Sequence, residues 1–230
     1  MHDNAIKISK AITSVAPFVT IVYSDPDPSF TLDTDCKLIQ RPNHLFWEDK
    51  FKACIDECGN SSILIIHADC VCNDWAQLVK RCFEVNTVYR NMGVWAPKID
   101  GTAYPLKFSK ICDIHNKNLN MVALTDGIVF SLSQDIIHRI RQINLTQNPY
   151  GWGIDLLFCA AGHAMGAMVV IDGSVEVHHP ETRGYDPKEA RKGLAQFQKQ
   201  FSWQEQIQCE LLLSFVRLNR MILQNSANKN

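Results

Sequence analysis

The stretch Ser61–Trp75, SSILIIHADCVCNDW, decides the fold that the sequence predicts. Its run Ile63–Ile66 is short, unbroken and rich in β-branched residues, which is typical of a strand buried on both faces of a mainly parallel sheet. A helix signal follows at Asp74, a residue type that caps helix N-termini. Because ligands bind beyond the carboxyl ends of strands in open α/β sheets, we predict a site at His67 and Asp69. A plain turn with a capping aspartate is the alternative.

The composition is that of an ordinary globular chain and excludes some classes of partner. The 230 residues are 46% apolar and 20% charged, and the net charge is −1. Such a balance creates no field that attracts nucleic acid or an anionic membrane, so we predict neither partner. Residues 1–10 carry no apolar signal segment, and no run reaches the about 18 apolar residues of a membrane span. Nine cysteines, an odd number, indicate reduced thiols and a cytoplasmic protein.

Strand and helix signals alternate outward from the opening stretch. A buried-strand run at Phe18–Ser24 ends in an acidic, proline-rich turn, and a helix signal from Trp47 to Cys58 stops at Gly59. This order predicts an α/β fold, a three-layer sandwich around a mixed, mostly parallel sheet with helices at the C-terminus. We divide the chain into a domain of residues 1–186 and a helical extension of residues 187–230.

Three Asp-Gly pairs lie between the later strand signals. The pairs begin at Asp100, Asp126 and Asp172, and Asp-Gly is a frequent turn sequence. Residues 121–124 and 128–132 flank the second pair, which predicts either a hairpin or a close approach to a ligand. The third pair predicts a turn between two strands at residues 168–171 and 175–177, and Pro97 is predicted to end a strand.

Two further segments carry polar side chains where an element begins or ends. Residues 150–155, YGWGID, place two glycines around Trp152 just before a helix, and core packing does not explain those glycines. The last strand signal ends in His178, His179 and Pro180. These two histidines alternate along a strand, so at most one needs to face a site. Asp155 is a candidate general base, with helix capping as the alternative.

The ordered set H-A-D, G-W-G-I-D and V-H-H-P resembles the GT-A fold glycosyltransferases that use nucleotide-sugar donors, in particular the inverting, galactosyltransferase-like branch. The likeness covers roughly residues 17–185. It implies that Asp69 binds a divalent metal, Mn²⁺ or Mg²⁺, together with His178 or His179. It also implies that Asp155 is the catalytic base.

Other site residues follow from this resemblance and from side-chain chemistry. The resemblance places the nucleotide beside Ser24, Asp25, Asn43 and Lys50, with His67 where the family has the first aspartate of D-x-D. Imidazole can contact ribose or metal there, and a nitrogen ligand favours Mn²⁺ over Mg²⁺. The predicted substrate-binding residues are Trp152, Gly153, Asp126 and Arg183. The alternatives are a core position for Trp152, a turn role for Asp126 and a surface ion pair for Arg183.

The predicted function is therefore metal-assisted transfer of a sugar from a nucleotide-diphosphate sugar to a glycan, lipid-linked or other hydroxyl acceptor. A degenerate GT-A domain that only binds a partner is the non-enzymatic alternative. A nucleotidyltransferase is the enzymatic alternative, although residues 24–28 lack the basic, glycine-rich loop that this class carries after its first strand. The apolar stripe of the last helix predicts packing on the domain or a homodimer.

Overall fold

The computed structural model describes residues 1–114, 118–180 and 186–227. Its helices and strands follow one another along the chain as α1 (His2–Ile12), β1 (Thr20–Tyr23), β2 (Lys37–Gln40), α2 (Trp47–Glu57), β3 (Ile63–Ile66), α3 (Trp75–Val88), β4 (Met92–Ile99), α4 (Leu106–Ser109), β5 (Lys110–Ile114), β6 (Leu119–Val122), β7 (Val129–Leu132), α5 (Gln134–Arg141), α6 (Ile154–Ala164), β8 (Met168–Val177), α7 (Pro187–Gln198) and α8 (Trp203–Ala227). A short 3₁₀ turn, Leu145–Gln147, precedes α6.

Six strands form the central sheet in the order β3-β7-β4-β8-β6-β5, and β1 and β2 form a separate parallel pair. The predicted α/β class and the mixed sheet are confirmed. Strands β3, β4, β5 and β8 run in one direction, and β6 and β7 run in the other. The reversed strands lie between the others, so β4 and β8 are the one parallel neighbouring pair among the described strands of the central sheet. The neighbouring pairs are thus mostly antiparallel, which corrects the expected mostly parallel sheet.

Two apolar cores lie on opposite faces of the sheet and produce the predicted three layers. Successive strand residues alternate between them, as Val94 and Trp95 do in β4. Helices α1 and α3 cover one face, and α2, α5, α6, α7 and α8 cover the other. The run Ile63–Ile66 forms the predicted strand, and its two faces contact the two cores. It lies at an edge of the sheet, however, and only Ile65 is fully buried.

The hairpin alternative at Asp126 and the turn predicted at Asp172 are both wrong. Strands β6 and β7 flank Asp126 but do not pair with each other, because β8 and β5 bind one and β3 and β4 bind the other. Asp172 lies fully buried inside the single strand β8, whose residues 173–175 bulge out of the register with β4. Pro97 does not end β4 either. It lies at the same register shift, where a residue without an N–H is tolerated.

Residues 106–111 form the one-turn helix α4 and the start of β5, which is an edge strand of the sheet. Hydrogen bonds from Asn219 to the carbonyl of Phe108 (3.1 Å) and from Arg220 to the carbonyl of Ala103 (3.3 Å) connect this region to α8.

The C-terminal helices share the core of the preceding residues. Phe197 of α7 and Leu212 of α8 are buried in the same core as α6. Arg139 of α5 forms a bidentate pair with Glu205 of α8 at 2.6 and 2.7 Å. The carboxylate of Glu205 also accepts from the amide of Ser202, and the hydroxyl oxygen of Ser202 accepts from the amide of Glu205. This is the capping box that the sequence S-W-Q-E of residues 202–205 encodes. Within the described ranges, no helix combines the length and the apolar character that crossing a bilayer requires.

Candidate functional site

The polar residues predicted from the sequence gather at one edge of the sheet. Strands β3, β4 and β8 run in the same direction and end there, and the antiparallel β7 begins there. The edge therefore receives His67, Asp100 and His178 from strand ends and Asp126 from the segment before β7. The amide of His67 donates to the carbonyl of Ile128 at 3.1 Å, which fixes the two segments to each other.

A short antiparallel bridge joins the loop after β3 to the end of β8. The amide of Val71 donates to the carbonyl of His178 at 2.9 Å, and the amide of His178 donates back at 2.8 Å. Backbone contacts of this kind hold the HAD and HHP segments together without using their side chains. The side chains of His67, Asp69 and His179 are therefore not needed to connect the two segments.

His67, Asp69 and His179 form a cluster that could hold a metal ion, and we name it the His-Asp-His cluster. One ligand atom from each residue lies within 4.8 Å of the others. Nε2 of His179 is 3.4 Å from a carboxylate oxygen of Asp69. Buried Nε2 of His67 and buried Nδ1 of His179 have no hydrogen-bond partner among the described residues. Because buried polar atoms are normally paired, two orphan imidazole nitrogens in one cluster fit a metal-binding role.

The surroundings of His67 keep its ring neutral. The ring meets the indole of Trp47 edge-on, with 4.1 Å between centroids. Burial lowers the pKa of His67 to about 4, although the nearby carboxylate of Asp69 acts in the opposite direction. A neutral imidazole has a free lone pair at pH 7, which is the form that binds a metal.

The structure separates the two adjacent histidines. His179 faces Asp69, with 16% of its side chain exposed. His178 is 64% exposed, and its Nδ1 lies 2.7 Å from a carboxylate oxygen of Asp100. The hydrogen bond with His178 is the main reason why the pKa of Asp100 is lowered. The cluster thus contains His179, and His178 takes part in an outer ion pair.

Asp155 lies in the first turn of α6. Gly153 occupies the N-cap position with a left-handed φ of +81°, and a Cβ atom there would collide with Leu194. One carboxylate oxygen of Asp155 accepts from the amide of Leu156 at 2.8 Å. Burial raises the pKa of Asp155 to about 7, and the charge of Asp126 adds to the increase. A carboxyl group that titrates near neutral pH suits proton transfer.

Asp126 is the fixed neighbour of Asp155. Its Oδ2 accepts from the hydroxyl of Thr102 at 2.8 Å and from the amide of Ala103 at 3.2 Å, and its Oδ1 accepts from the amide of Gly127 at 2.9 Å. A Cβ atom on Gly127 would lie 3.5 Å from Cβ of Asp155, an ordinary van der Waals distance, so the two segments are direct neighbours. Asp126 therefore connects residues 102–103 to the start of α6.

The glycines around Trp152 have a structural reason that sequence reasoning missed. Gly151 has a φ of +72°, and a Cβ atom there would collide with the indole of Trp47. The carbonyl of Trp152 accepts from Asn148 at 2.6 Å. The glycine segment therefore packs against the same Trp47 that contacts His67. This places YGWGID beside the His-Asp-His cluster.

The predicted nucleotide-binding residues occupy the side of the chain near α1 and α2. The carbonyl of Ser24 lies 3.1 Å from Nε2 of His2, whose Nδ1 is 3.5 Å from Asp25. Asn43 is exposed in the turn before α2. Lys50 of α2 donates to the carbonyl of Leu45 at 2.9 Å, and burial lowers its pKa. Arg183, predicted to bind substrate, lies outside the described residues.

Three further residues belong to this edge and were not predicted. Asp100 binds His178, Thr102 binds Asp126, and the negative charge of Asp155 followed by burial raises the pKa of Tyr104. Asp100 does begin one of the Asp-Gly pairs noted in the sequence, which was an available signal. Nothing local marks Thr102 or Tyr104, because their partners are far away in the sequence.

No protein-family model and no curated protein matches the sequence. Several solved structures are similar in part. A crystal structure of GalNAc-T7 with UDP, GalNAc and Mn²⁺ is 12% identical over 70% of this chain, with a TM-score of 0.49, and the chain spans only 36% of that protein. An apo UDP-glucose pyrophosphorylase is 11% identical over 86% of each chain, with a TM-score of 0.48. A putative glucose-1-phosphate thymidylyltransferase from Bacillus anthracis, in complex with a sucrose, is 10% identical over 74% of this chain and 70% of that one, with a TM-score of 0.41.

Proposed function

We propose that the protein is a metal-assisted glycosyltransferase that moves a sugar from a nucleotide-diphosphate sugar to a hydroxyl acceptor. The observation that carries the proposal is the His-Asp-His cluster with its two orphan nitrogens, at the same sheet edge as Asp155 with its pKa of about 7. The His-Asp-His cluster fits a cation that binds a diphosphate. Asp155 fits a base that accepts the proton of the acceptor hydroxyl.

The cluster fits Mn²⁺ better than Mg²⁺ as its cofactor. His67, Asp69 and His179 offer imidazole nitrogen and carboxylate oxygen, whereas Mg²⁺ prefers oxygen ligands alone. When bound, the cation would offset the negative charge that develops on the leaving diphosphate. The protein residues contribute the geometry, because the bridge between Val71 and His178 fixes both ligand-bearing segments.

Asp155 is the proposed base. It takes the proton from the acceptor hydroxyl as that oxygen attacks the sugar, which leads to inversion at the anomeric carbon. A base works best when its pKa is close to the working pH, and burial together with Asp126 brings the pKa of Asp155 to about 7. Asp126 positions this region and contacts the substrate in this proposal.

The remaining residues form the proposed walls of the site. Trp152 and Gly153 lie against the transferred sugar, because an indole face can stack on a sugar ring and a glycine lets backbone approach it. Ser24, Asp25, Asn43 and Lys50 are assigned to the nucleotide side, next to the helix that carries Trp47. Arg183, predicted from the sequence to bind substrate, is assigned to the diphosphate. A glycan or a lipid-linked glycan is the proposed acceptor.

Metal-linked donor binding tests the proposal. UDP-, GDP- and TDP-linked sugars are titrated into the protein by calorimetry, with Mn²⁺ and with EDTA. We expect one of them to bind with Mn²⁺ and at least tenfold more weakly with EDTA. His179→Ala should remove the metal dependence. His178→Ala is the matched control, since it changes the neighbouring histidine, which pairs with Asp100 outside the cluster.

Two outcomes would contradict the proposal in different ways. If no nucleotide sugar binds under either condition, the protein is not a nucleotide-sugar transferase. A nucleotidyltransferase would instead bind a nucleoside triphosphate and release pyrophosphate when a sugar 1-phosphate is added. A coupled assay for pyrophosphate with UTP, GTP and TTP detects that reaction directly.

A further inference from the structure

Helix α8 is apolar on two opposite faces. One face packs into the core through Cys209, Leu212 and Val216, which are 5–6% exposed. The opposite face carries Ile207, Leu211, Leu218 and Met221, which are 47, 59, 56 and 60% exposed. A helix of a globular protein normally shows one apolar face and one polar face, and a helix that is apolar all round is buried all round. The second face is therefore suited to contact another surface.

The spacing of this face is that of a coiled-coil seam. Ile207, Leu211, Ser214, Leu218 and Met221 follow one another at intervals of four, three, four and three residues, and we name them the exposed stripe. Apolar residues that alternate between steps of three and four meet the same positions of a second helix. The stripe runs from Ile207 to Met221, about two heptads of the 25-residue helix α8.

Charges beside the exposed stripe distinguish between possible partners. Glu210 and Arg217 lie one heptad apart on the same flank, both are exposed, and neither forms an ion pair within the described ranges. When two copies of α8 run antiparallel, Glu210 of each lies opposite Arg217 of the other. In the parallel arrangement Glu210 would face Phe215 instead, without charge complementarity.

We propose that the exposed stripe is a homodimer interface in which α8 pairs antiparallel with α8 of a second copy. In the register set by the charges, Ile207 packs against Leu218 of the other copy, and Leu211 packs over the small Ser214. The arrangement is two-fold symmetric, so each contact occurs twice. An anionic membrane is a poorer occupant because Glu210 would face its negative surface.

The proposed interface lies close to the candidate site. Asn219 and Arg220 of α8 hydrogen-bond to the carbonyls of Phe108 and Ala103. The amide of Ala103 in turn donates to the carboxylate of Asp126. A dimer would therefore rigidify the helix that supports one wall of the site.

Sedimentation equilibrium of the whole chain tests the proposal. The expected mass is twice 26.1 kDa. Leu211→Glu with Leu218→Glu places charges on the exposed stripe and should give monomers that fold normally by circular dichroism. Lys80→Glu, an exposed change on α3, is the control and should leave the dimer unchanged.

A charge exchange tests the orientation. Glu210→Arg alone and Arg217→Glu alone should each raise the dimer dissociation constant at least tenfold, because each makes two like-charge contacts. The double variant restores both pairs and should dimerise like the unchanged protein. A monomeric wild type overturns the proposal, and binding of that monomer to phosphatidylglycerol vesicles would assign the stripe to a membrane. A dimer that ignores these charges overturns the antiparallel register.

Discussion

Two buried polar groups in this molecule differ in how completely their atoms are paired. In the middle of β8, the carboxylate of Asp172 accepts from Arg81 at 2.7 Å, from the indole of Trp95 at 3.4 Å and from the amide of Ser174 at 3.0 Å. At the end of the same strand, the His-Asp-His cluster leaves two imidazole nitrogens without partners in the part of the chain that the structure describes. Groups that stabilise a fold satisfy one another, whereas groups kept for a ligand stay incomplete.

The largest expected effect separates function from stability at Asp155. Asp155→Asn keeps the shape of the side chain but removes its basicity, so turnover should fall by roughly 10²–10⁴. Donor binding should change little. Steady-state kinetics and calorimetry on the same protein measure both quantities.

The same variant should be more stable than the wild type above pH 7. The native pKa of Asp155 is about 7 against an ordinary value of 3.8, so the native state holds a proton longer than the unfolded chain. Wild-type stability therefore falls as the pH rises from about 4 to about 7. This loss of wild-type stability is complete above pH 7. There the free energy of unfolding of Asp155→Asn should exceed that of the wild type by roughly 1–3 kcal/mol. A loss of stability would mean that Asp155 is structural, and Asp33→Asn provides an exposed control.

Breaking the fully paired group around Asp172 should lower the stability of the protein without changing its function. Arg81→Met leaves the fully buried carboxylate of Asp172 without its ion pair, so the free energy of unfolding should fall by about 3–5 kcal/mol in urea denaturation. Lys98→Met removes the exposed pair with Glu176 and should cost less than about 1 kcal/mol. Equal losses for the two variants would contradict the comparison.

The pH dependence of catalysis should follow Asp155. As the pH rises through about 7 the base loses its proton, so kcat/KM should increase roughly tenfold between pH 6 and pH 8. Asp126→Asn removes a neighbouring negative charge and should move the midpoint to lower pH. An unchanged midpoint in that variant would show that Asp126 does not act on the base.

The smallest expected effect on stability concerns the His-Asp-His cluster. His67→Phe removes the orphan nitrogen while keeping a ring against Trp47. The free energy of unfolding of the metal-free protein should therefore change by less than about 1 kcal/mol. The same variant should lose the stabilisation that Mn²⁺ gives the wild type. Thermal melts with Mn²⁺ and with EDTA separate the two effects. A large loss in EDTA would make His67 a structural residue.

The elements that the sequence predicts well are those with local signals. The run Ile63–Ile66, the cap at Asp74 and the capping box at Ser202 depend on neighbours within a few residues, and all three are present in the structure. The placement of His67 and Asp69 at a strand end follows from the same local pattern. Their proximity to His179, which lies far away in the sequence, does not follow from that pattern.

The features that the sequence cannot predict depend on distant partners. Asp126 and Asp172 both precede a glycine and look alike, yet one holds the loop at Thr102 and the other is buried against Arg81. Strand order decides between these outcomes, because β8 inserts between β4 and β6. The choice of His179 over His178 likewise depends on the bridge to Val71, which is more than a hundred positions away.

The bridge between Val71 and His178 also has a consequence for the order of folding. It closes a loop of more than a hundred residues, and contacts of such long range form late because chain entropy opposes them. The cluster that the bridge assembles can exist only after β3 and β8 have joined the same sheet. A cation can therefore stabilise the finished fold and slow its unfolding, but it cannot nucleate that fold.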